Sequence, residues 1–562
     1  MIDINYPLTY ENAFNGDVSS NNKKIRILID CLKKLNKDES IIKCSQVNFA
    51  LFKDSDEFAL KEPDKISEEL TAYFPPQSIK RIKWFISKKR KKNISSNFIA
   101  FWRGQITNMI FYILQHCPTN EGYKLTDADF NENFSKSALL IGELLNNEDT
   151  EGQYPNTGDL YNDCIKCLLA VKCGLENANH ISQNLLFNQI YRGYTIFVKL
   201  LSKKTVPNKD SIKFDQYFLE HFKISLYDCY LYILSLITHL IYNKESQNNF
   251  IINRETVYKN ITSKKVYKDF DQLIGLLSQD LTELTNQIHN KSKIDFKRLL
   301  RAKPIIQLPE NLLVISDVTY LVDDFVSKGP RFFLSKLPET KDVHTIYGEC
   351  FENYVCTLLE QRHKSGKFQS NIKLSSNNKK DEIEVDAYVE LDDNVKVIYE
   401  IKAVLINESK DLESEITEKY LNKAIPQLCK RIKFFKNIAS TNTIYPVLIV
   451  EDEFISKCEF WFKSELEKQL ASNSAEIAKI VYPLIIISVQ TLELLPITVD
   501  LFSILKEYHN GTFSKPNIGA NFCDYILSPH YKYGTYTSPE AAELVEKLLL
   551  SVKEKMFKTV IS

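Results

Sequence analysis

The chain has 562 residues, enough for two to four domains and for a core that needs no disulfide cross-links. Its 72 Lys and Arg residues balance its 72 Asp and Glu residues, so no global positive field draws the protein onto nucleic acid, and such contacts must come from local patches. Only 15 residues are Gly, which argues against folds built on many glycine-dependent turns and favours a largely helical chain.

The cysteines and the first residues indicate a reducing compartment. The 12 Cys are scattered, and the segment starting at Met1 lacks the basic and apolar regions of a secretory signal peptide. The longest apolar run, near 230–242, contains Thr238 and His239 and is shorter than the roughly 20 residues that a membrane helix needs. We therefore expect a soluble cytoplasmic protein that does not enter a membrane.

Helical periodicity dominates residues 1–302. Apolar side chains such as Ile106, Met109 and Ile110 recur at the spacing of a buried helix face. Two polar stretches, 146–162 and 243–249, are predicted to be loops between helical hairpins. We predict that this large helical region binds a partner or substrate, or regulates the rest of the chain.

After residue 302 the pattern changes to short β-type runs and then to alternating helices and strands. We predict a β-rich connecting segment at 303–343, an α/β unit at 344–510 and a helical extension at 511–562. The fold class expected is α+β, with an α/β sandwich around a mixed sheet of three or four strands. A chain starting near Lys303 is expected to fold alone. The predicted helices are 345–362, 413–437, 492–508 and 539–556, and the predicted strands are 383–391, 395–405, 445–450 and 481–489.

Acidic side chains and one lysine are brought together by the predicted strand hairpin. Asp386 lies on its first strand, whereas Glu400 and Lys402 share one face of the second because they are two residues apart. Carboxylates from paired strands can hold a hard divalent cation such as Mg²⁺, which activates water and offsets charge on a phosphate. Lys402 can orient the nucleophile or stabilise that charge. Glu352, on the preceding helix, can hold a metal-bound water or a second ion.

These residues resemble the PD-(D/E)XK nuclease superfamily, which has the restriction-endonuclease-like fold. The resemblance lies in Gly348-Glu349-Cys350-Phe351-Glu352, Glu384-Val385-Asp386 and Glu400-Ile401-Lys402, together with Gln427-Leu428-Cys429-Lys430-Arg431, which is similar to the Gln-bearing motif of the RecB-like branch. Arg431 stands where that branch more often has Tyr. The resemblance implies metal binding by Glu352, Asp386 and Glu400, a catalytic Lys402, a positioning role for Gln427, and Mg²⁺ or Mn²⁺ as cofactor.

Two basic segments are candidates for nucleic-acid contact. The segment 80–92 (KRIKWFISKKRKK) has no acidic residue and includes Trp84 and Phe85, so it could follow a phosphate backbone and stack on a base. A second cluster follows the acidic motifs on a predicted helix and could touch flanking DNA. In both cases the alternative is a solvated helix face. The candidate contacts are Lys80, Arg81, Lys83, Lys88, Lys89, Arg90, Lys430, Arg431 and Lys433.

Other motifs carry little weight. Cys164, Cys167, Cys173 and His180 have a spacing that suggests zinc, but they lie in one amphipathic helical pattern without a turn, so buried cysteines are the favoured interpretation. The chain has no P-loop sequence, so any ATP-driven step needs a separately encoded subunit.

The function expected from the sequence is that of a metal-dependent endonuclease acting on DNA rather than RNA. By analogy it is an effector of prokaryotic antiviral defence that works with a separately encoded ATPase or sensor protein. The oligomeric state stays open, a homo-oligomer included. Two alternatives remain: a catalytically inactive nuclease fold that binds nucleic acid, and a scaffold subunit of an ATPase-driven assembly.

Overall fold

A computed structural model of the chain is α+β, as predicted. It describes residues 6–14, 18, 20–53, 59–60, 68–90, 98–99, 101–119, 125–151, 183–207, 212–242, 251–253, 261, 263–288, 293–327, 331–334, 336–338, 340–375, 382–392, 394–404, 412–438, 443–471, 481–510, 521–527 and 536–556. Among these residues, no helix is both long enough and apolar enough to span a membrane.

A mixed five-stranded sheet lies at the centre of the carboxy-terminal part, with strand order β5-β4-β3-β2-β1. Strand β2 pairs antiparallel with both β1 and β3, and β4 and β5 run parallel to β3. The predicted hairpin is present, with Val397 opposite Val389. The strands are β1 Lys367–Ser375, β2 Glu382–Asp392, β3 Val395–Lys402, β4 Thr443–Val450 and β5 Ile485–Ser488.

Two helices cover opposite faces of this sheet. Helix α1, Thr340–Arg362, lies on one face, where Val397 and Tyr399 enter the same core as Phe351. Helix α2, Ile425–Ile438, lies on the other, where Ile398 packs with Leu428. Because both faces are covered, β3 and β4 are nearly continuous apolar runs. The neighbouring helices are Leu412–Ile416 with its π-helical continuation Thr417–Ala424, then Glu453–Ser456, Glu459–Ala471, Val489–Leu494, Leu501–Asn510, Phe522–Leu527 and Pro539–Met556.

The amino-terminal region is built of packed helices, as its periodicity predicts. Its helices are Tyr10–Phe14, Asn21–Leu32, Lys37–Lys53, Glu68–Tyr73, Pro76–Arg90, Arg103–His116, Asp127–Glu151, Gln183–Gly193 with the π-helical and 3₁₀ turns Tyr194–Leu200 and Leu201–Lys203, Phe214–Phe222, Leu226–Tyr242, Lys264–Leu277, Leu281–Ile288 and Lys293–Ala302. Strands Tyr6–Pro7, Phe98–Ile99 and Ala59–Leu60 also form a small sheet here, which the helical pattern did not indicate.

A second small sheet joins the helical region to the segment expected to be a connector. Its strand order is Ile251–Asn253, Leu312–Ile315, Ile305–Gln307 and Ser278–Asp280, so strands from before and after residue 303 pair with one another. The same segment continues through a 3₁₀ turn at Pro309–Asn311 and the helical turns Val318–Tyr320, Leu321–Ser327 and Arg331–Leu334.

One continuous apolar core runs through both parts of the chain. It contains Leu28 and Ile110 from the helical region and also Tyr399 and Val552. At its centre Arg192 Nη1 lies 2.8 Å from Glu493 Oε2, with both side chains buried, and Tyr354 Oη donates to the other Glu493 oxygen at 2.9 Å. The helical region therefore packs on the α1 side of the five-stranded sheet.

Three details of the structure differ from the predictions. The sheet has a fifth strand, β1, in which polar residues separate the half-buried Phe368, Ile372 and Leu374, so it has no apolar run. The single helix expected at 492–508 is two helices, Val489–Leu494 and Leu501–Asn510, because Pro496 ends the first. The predicted loop at 146–162 starts inside a helix that continues to Glu151, and its remainder, like the loop at 243–249, lies outside the described residues.

Candidate active site

The strand register brings the two predicted strand carboxylates together. The register of β2 and β3 ends at the pair Tyr399–Ala387, and Glu400 and Asp386 are the next residues of the two strands. The Asp386 Oδ2 atom accepts a hydrogen bond of 2.8 Å from the Ile401 backbone N–H. Both carboxylates contact Arg431 of α2, so they lie toward the face of the sheet that α2 covers.

The sheet is irregular at Asp386. Val385 packs into the core beneath α2, whereas Ala387, two residues later, packs into the core beneath α1. A regular strand would place both on one face. Opposite Asp386, between the pairs Ser370–Ala387 and Ile372–Val385, Asn371 has a φ of 53°, in the left-handed region. Such irregularities re-aim side chains, and here the side chain concerned is a predicted metal ligand.

Arg431 on α2 joins the two carboxylates. Its Nη2 donates to Asp386 Oδ1 at 2.7 Å, and its Nη1 donates to Glu400 Oε2. Its Nε also donates to the Glu384 carbonyl oxygen at 2.9 Å, and Nη1 to the Tyr399 carbonyl oxygen at 3.3 Å. The sequence assigned Arg431 to a DNA-facing surface, but it is buried at the sheet.

Glu400 is the most enclosed member of the site, with none of its side chain exposed. Lys402 Nζ lies 2.5 Å from Glu400 Oε1, on the side away from Arg431. Burial is the main cause that raises the pKa of Glu400 to about 7, and the Asp386 carboxylate raises it further, while Lys402 and Arg431 oppose the shift. Lys402 and Arg431 therefore offset only part of the cost of burying the charged form of Glu400.

Glu352 extends the acidic group from the other layer. It is half-buried on α1, and burial followed by the nearby Asp386 carboxylate raises its pKa to about 7. Arg431 and Lys402 act on it in the opposite direction. Asp386, Arg431 and Lys402 all act on Glu352, so it shares the electrostatic environment of the strand carboxylates.

The remaining predicted site residues lie apart from this group. Gln427 is exposed on α2, and its side chain forms no hydrogen bond with the other described residues. Lys430 is exposed and Lys433 is half-buried, on the same helix as the buried Arg431.

The amino-terminal basic segment forms the helix Pro76–Arg90, which packs on Tyr10–Phe14. Trp84 is 63% exposed, and Lys88 Nζ lies 4.8 Å from its ring centre. Lys80 and Lys88 are exposed and Lys83 is half-buried, while Arg81 Nη2 donates to the Glu11 carbonyl oxygen at 3.5 Å. The side chains of Lys89 and Arg90, like Cys164, Cys167, Cys173 and His180, lie outside the described residues.

The donor chemistry fits a hard divalent cation only in part. Within the described ranges, no group of three or more His, Cys, Asp or Glu side chains lies close enough to hold a metal. Mg²⁺ needs only one or two protein carboxylates beside water and phosphate oxygens, and Asp386 and Glu400 supply two that already converge on one positive charge. The two carboxylates therefore fit a metal in type, while Arg431 lies at the point where they converge.

Signals for Arg431 were present in the sequence. Leu428 and Ile432 are buried on α2, and Arg431 falls three residues after the first and next to the second, on the same side of a helix. A charged residue on an apolar helix face needs a buried partner, which the two strand carboxylates provide.

No protein-family model, curated protein or solved structure matches this chain.

Proposed function

We propose that this protein is a metal-dependent endonuclease that hydrolyses phosphodiester bonds, of DNA rather than RNA, on a restriction-endonuclease-like sheet. The observation that carries the proposal is the convergence of Asp386 and Glu400, from paired strands, on one positive charge, with Lys402 beside them. A lone acid-x-Lys tripeptide would be weak support. An ordinary solvent-exposed ion pair is a poor explanation, because Asp386 and Glu400 share the guanidinium of Arg431 and Glu400 is buried.

Each residue has a distinct role in this proposal. Asp386 and Glu400 would hold Mg²⁺ or Mn²⁺, which when bound supplies Lewis acidity and an activated water. Lys402 holds a positive charge next to Glu400 and would stabilise charge that develops on the phosphate. Glu352, with its pKa near neutrality, can accept or release a proton at working pH.

Substrate and partner assignments rest on charge and composition. The exposed cations of the helix Pro76–Arg90, with the exposed ring of Trp84, suit a phosphate backbone and a stacked base. Because the chain has no P-loop sequence, we propose a separately encoded ATPase or sensor as partner, in a cytoplasmic defence role. This placement is by analogy with other nucleases that carry long helical arms.

The test is nicking of supercoiled plasmid by the full chain with Mg²⁺ or Mn²⁺, alone and with the products of neighbouring genes. We expect metal-dependent cleavage by the wild type and none by Asp386→Asn, which keeps the side-chain shape and removes the charge. Equal cleavage by both proteins would disprove the site assignment. An exposed-residue variant, Lys423→Gln, serves as a control for preparation quality, since Lys423 is exposed and precedes α2.

A second candidate is favoured by Arg431 itself. A guanidinium between Asp386 and Glu400 is also what a nuclease fold that had lost its metal would contain, since it neutralises carboxylates that otherwise require an ion. Such a protein would bind DNA without cleaving it, or act as a scaffold that binds only with its ATPase partner. Binding that is equal with Mg²⁺ and with a chelator, without cleavage, would favour this function.

A further inference from the structure

We propose that Arg431 is a built-in counter-ion of the metal-free protein, and that a divalent cation must displace its guanidinium from Asp386 and Glu400 in order to bind. The inference rests on the proposed metal site and adds a competition between a side chain and the metal. It assigns Arg431 a role that the motif comparison did not suggest, since that comparison placed Arg431 at a position more often held by Tyr.

The occupancy of the four carboxylate oxygens supports this proposal. Asp386 Oδ2 accepts the Ile401 N–H at 2.8 Å, and Asp386 Oδ1 accepts Arg431 Nη2 at 2.7 Å. Glu400 Oε2 contacts Arg431 Nη1, and Glu400 Oε1 lies 2.5 Å from Lys402 Nζ. Each oxygen therefore already has a donor or a cation close to it.

Of these three partners, Arg431 is the one that a cation bound between both carboxylates must displace. The Ile401 N–H is fixed in the backbone of β3, and of the two carboxylates Lys402 contacts Glu400 alone. Arg431 extends from α2, a separate element, and when it leaves it must also release its hydrogen bonds to the Glu384 and Tyr399 carbonyl oxygens. It is also the one group that contacts both carboxylates, so its departure frees one oxygen on each.

Electrostatics makes simultaneous occupancy unfavourable. A divalent ion bound to both carboxylates would lie within a few ångströms of a guanidinium that contacts the same oxygens, in a buried setting where repulsion between like charges is strong. Conversely, without either cation the fully enclosed Glu400 would keep Lys402 alone as a positive neighbour among these three partners, and Asp386 would keep the Ile401 N–H. A cation at the position of the Arg431 guanidinium therefore stabilises the pair.

The experiment is calorimetric titration of Mn²⁺ into the metal-free full chain at fixed ionic strength. We expect Arg431→Gln to bind Mn²⁺ on the order of tenfold more tightly than the wild type, because a competing buried charge is gone. Lys423→Gln removes an exposed positive charge nearby in sequence and should change the affinity less than about twofold. Arg431→Gln combined with Glu400→Gln should lose the gain, which ties it to this site.

Arg431→Gln also removes a buried partner of two carboxylates, so Arg431→Lys is the second variant. A lysine ammonium cannot bridge two carboxylates as a guanidinium does, so this variant should also bind Mn²⁺ more tightly than the wild type. Thermal unfolding with and without Mn²⁺ gives a readout independent of cleavage: the metal should raise the Tm of Arg431→Gln or Arg431→Lys more than that of the wild type.

The outcomes separate the inference from the proposed function. If the wild type binds Mn²⁺ and both Arg431 variants bind it equally or more weakly, Arg431 supports the metal site and the competition is disproved. If neither the wild type nor the variants bind Mn²⁺, the metal-dependent function fails and the inference fails with it. If either folded Arg431 variant binds Mn²⁺ more tightly than the wild type, and this gain is lost when Glu400 is also changed, both the metal site and the competition are supported.

Discussion

At the scale of single residues, the buried ion pair of Glu400 and Arg431 decides how much stability a substitution in the site costs. A buried ion pair is costly to break from one side, about 3–5 kcal/mol, because the remaining charge loses its partner. Truncating Glu400 would leave Arg431 and Lys402 beside an empty space. Alanine at this position should therefore destabilise the fold, and Gln, which keeps the shape, is the better substitution.

Lys402 should separate metal binding from catalysis. Lys402 approaches Glu400 Oε1 and is not a metal ligand, so we expect Lys402→Gln to bind Mn²⁺ at least as well as the wild type. We also expect it to cleave on the order of 10²-fold more slowly, because a charge aimed at the transition state is lost. Calorimetry and plasmid nicking on the same preparation measure both. Loss of metal binding together with rate would instead make Lys402 a structural partner of Glu400.

Glu352 should give the metal-free protein a stability that falls as pH rises. Its pKa is raised from 4.5 to about 7, so between these values the native protein holds a proton that the unfolded chain has released. The contribution is fully present below pH 4.5 and is lost as pH rises through about 7. Because Glu352 is only half-buried, we expect an effect of about 1–2 kcal/mol rather than the full conversion of the shift.

Denaturant unfolding at pH 5 and pH 8 tests this sign. Glu352→Gln cannot ionise, so its stability relative to the wild type should increase between these two values. Glu360→Gln, an exposed position on the same helix, is the matched control and should show a smaller change. A Glu352→Gln difference that is the same at both pH values would show that Glu352 does not couple to proton binding in this range.

At the scale of elements, the central hairpin could be predicted because its strands are apolar runs bounded by a turn, and the order of acidic residues on it follows from chain order alone. Strand β1 could not, since the apolar residues of Lys367–Ser375 are few and only half-buried at the edge of the sheet, and the strand gains its pairing from β2. The short strands of the helical region are likewise set by tertiary pairing. The sequence shows Arg431 on an apolar helix face, but its partners, Asp386 and Glu400, are brought to it by the folded sheet.

The helix Pro76–Arg90 carries the prediction about nucleic acid. Exchanging Lys80, Lys83 and Lys88 for Glu should lower affinity for a DNA duplex and flatten its salt dependence, by about 0.9 in log–log slope for each phosphate that the helix no longer neutralises. Binding titrations from 50 to 200 mM salt measure the slope. The equal charge change at the exposed residues Lys23, Lys33 and Lys34 is the control. If both triple variants behave alike, only net charge is involved and the helix does not bind DNA specifically.

At the scale of the whole molecule, the helical region and the sheet share one core rather than meeting at a linker. The small sheet that spans residue 303 and the buried pair of Arg192 and Glu493 both cross the expected boundary. A chain that starts near Lys303 would lose two strands of that sheet and expose the apolar residues that the helical region covers. We therefore now expect such a fragment to be insoluble or unfolded.

Two ion pairs between the same regions provide a matched test. Arg192→Met leaves Glu493 buried without its cation and should cost about 3–5 kcal/mol of unfolding free energy. Lys204→Met breaks the exposed pair with Glu349, in which both side chains reach solvent, and should cost about 0–1 kcal/mol. Thermal and denaturant unfolding of the wild type and of both variants measure these losses of unfolding free energy. Equal, small losses in both variants would mean that the two regions are energetically independent.

The long-range pairing has a consequence for how the protein is made. The helix Pro539–Met556 packs on Gln183–Gly193 and Leu226–Tyr242, and Lys555 pairs with Asp228, 327 positions earlier. Contacts so distant in sequence form late and slowly, because a long loop must close first. During synthesis, the apolar faces of the early helices would stay exposed to solvent until the last helix is made. Chaperones bind such surfaces, and aggregation competes with folding. A ribosome-bound chain lacking that helix should therefore be protease-sensitive.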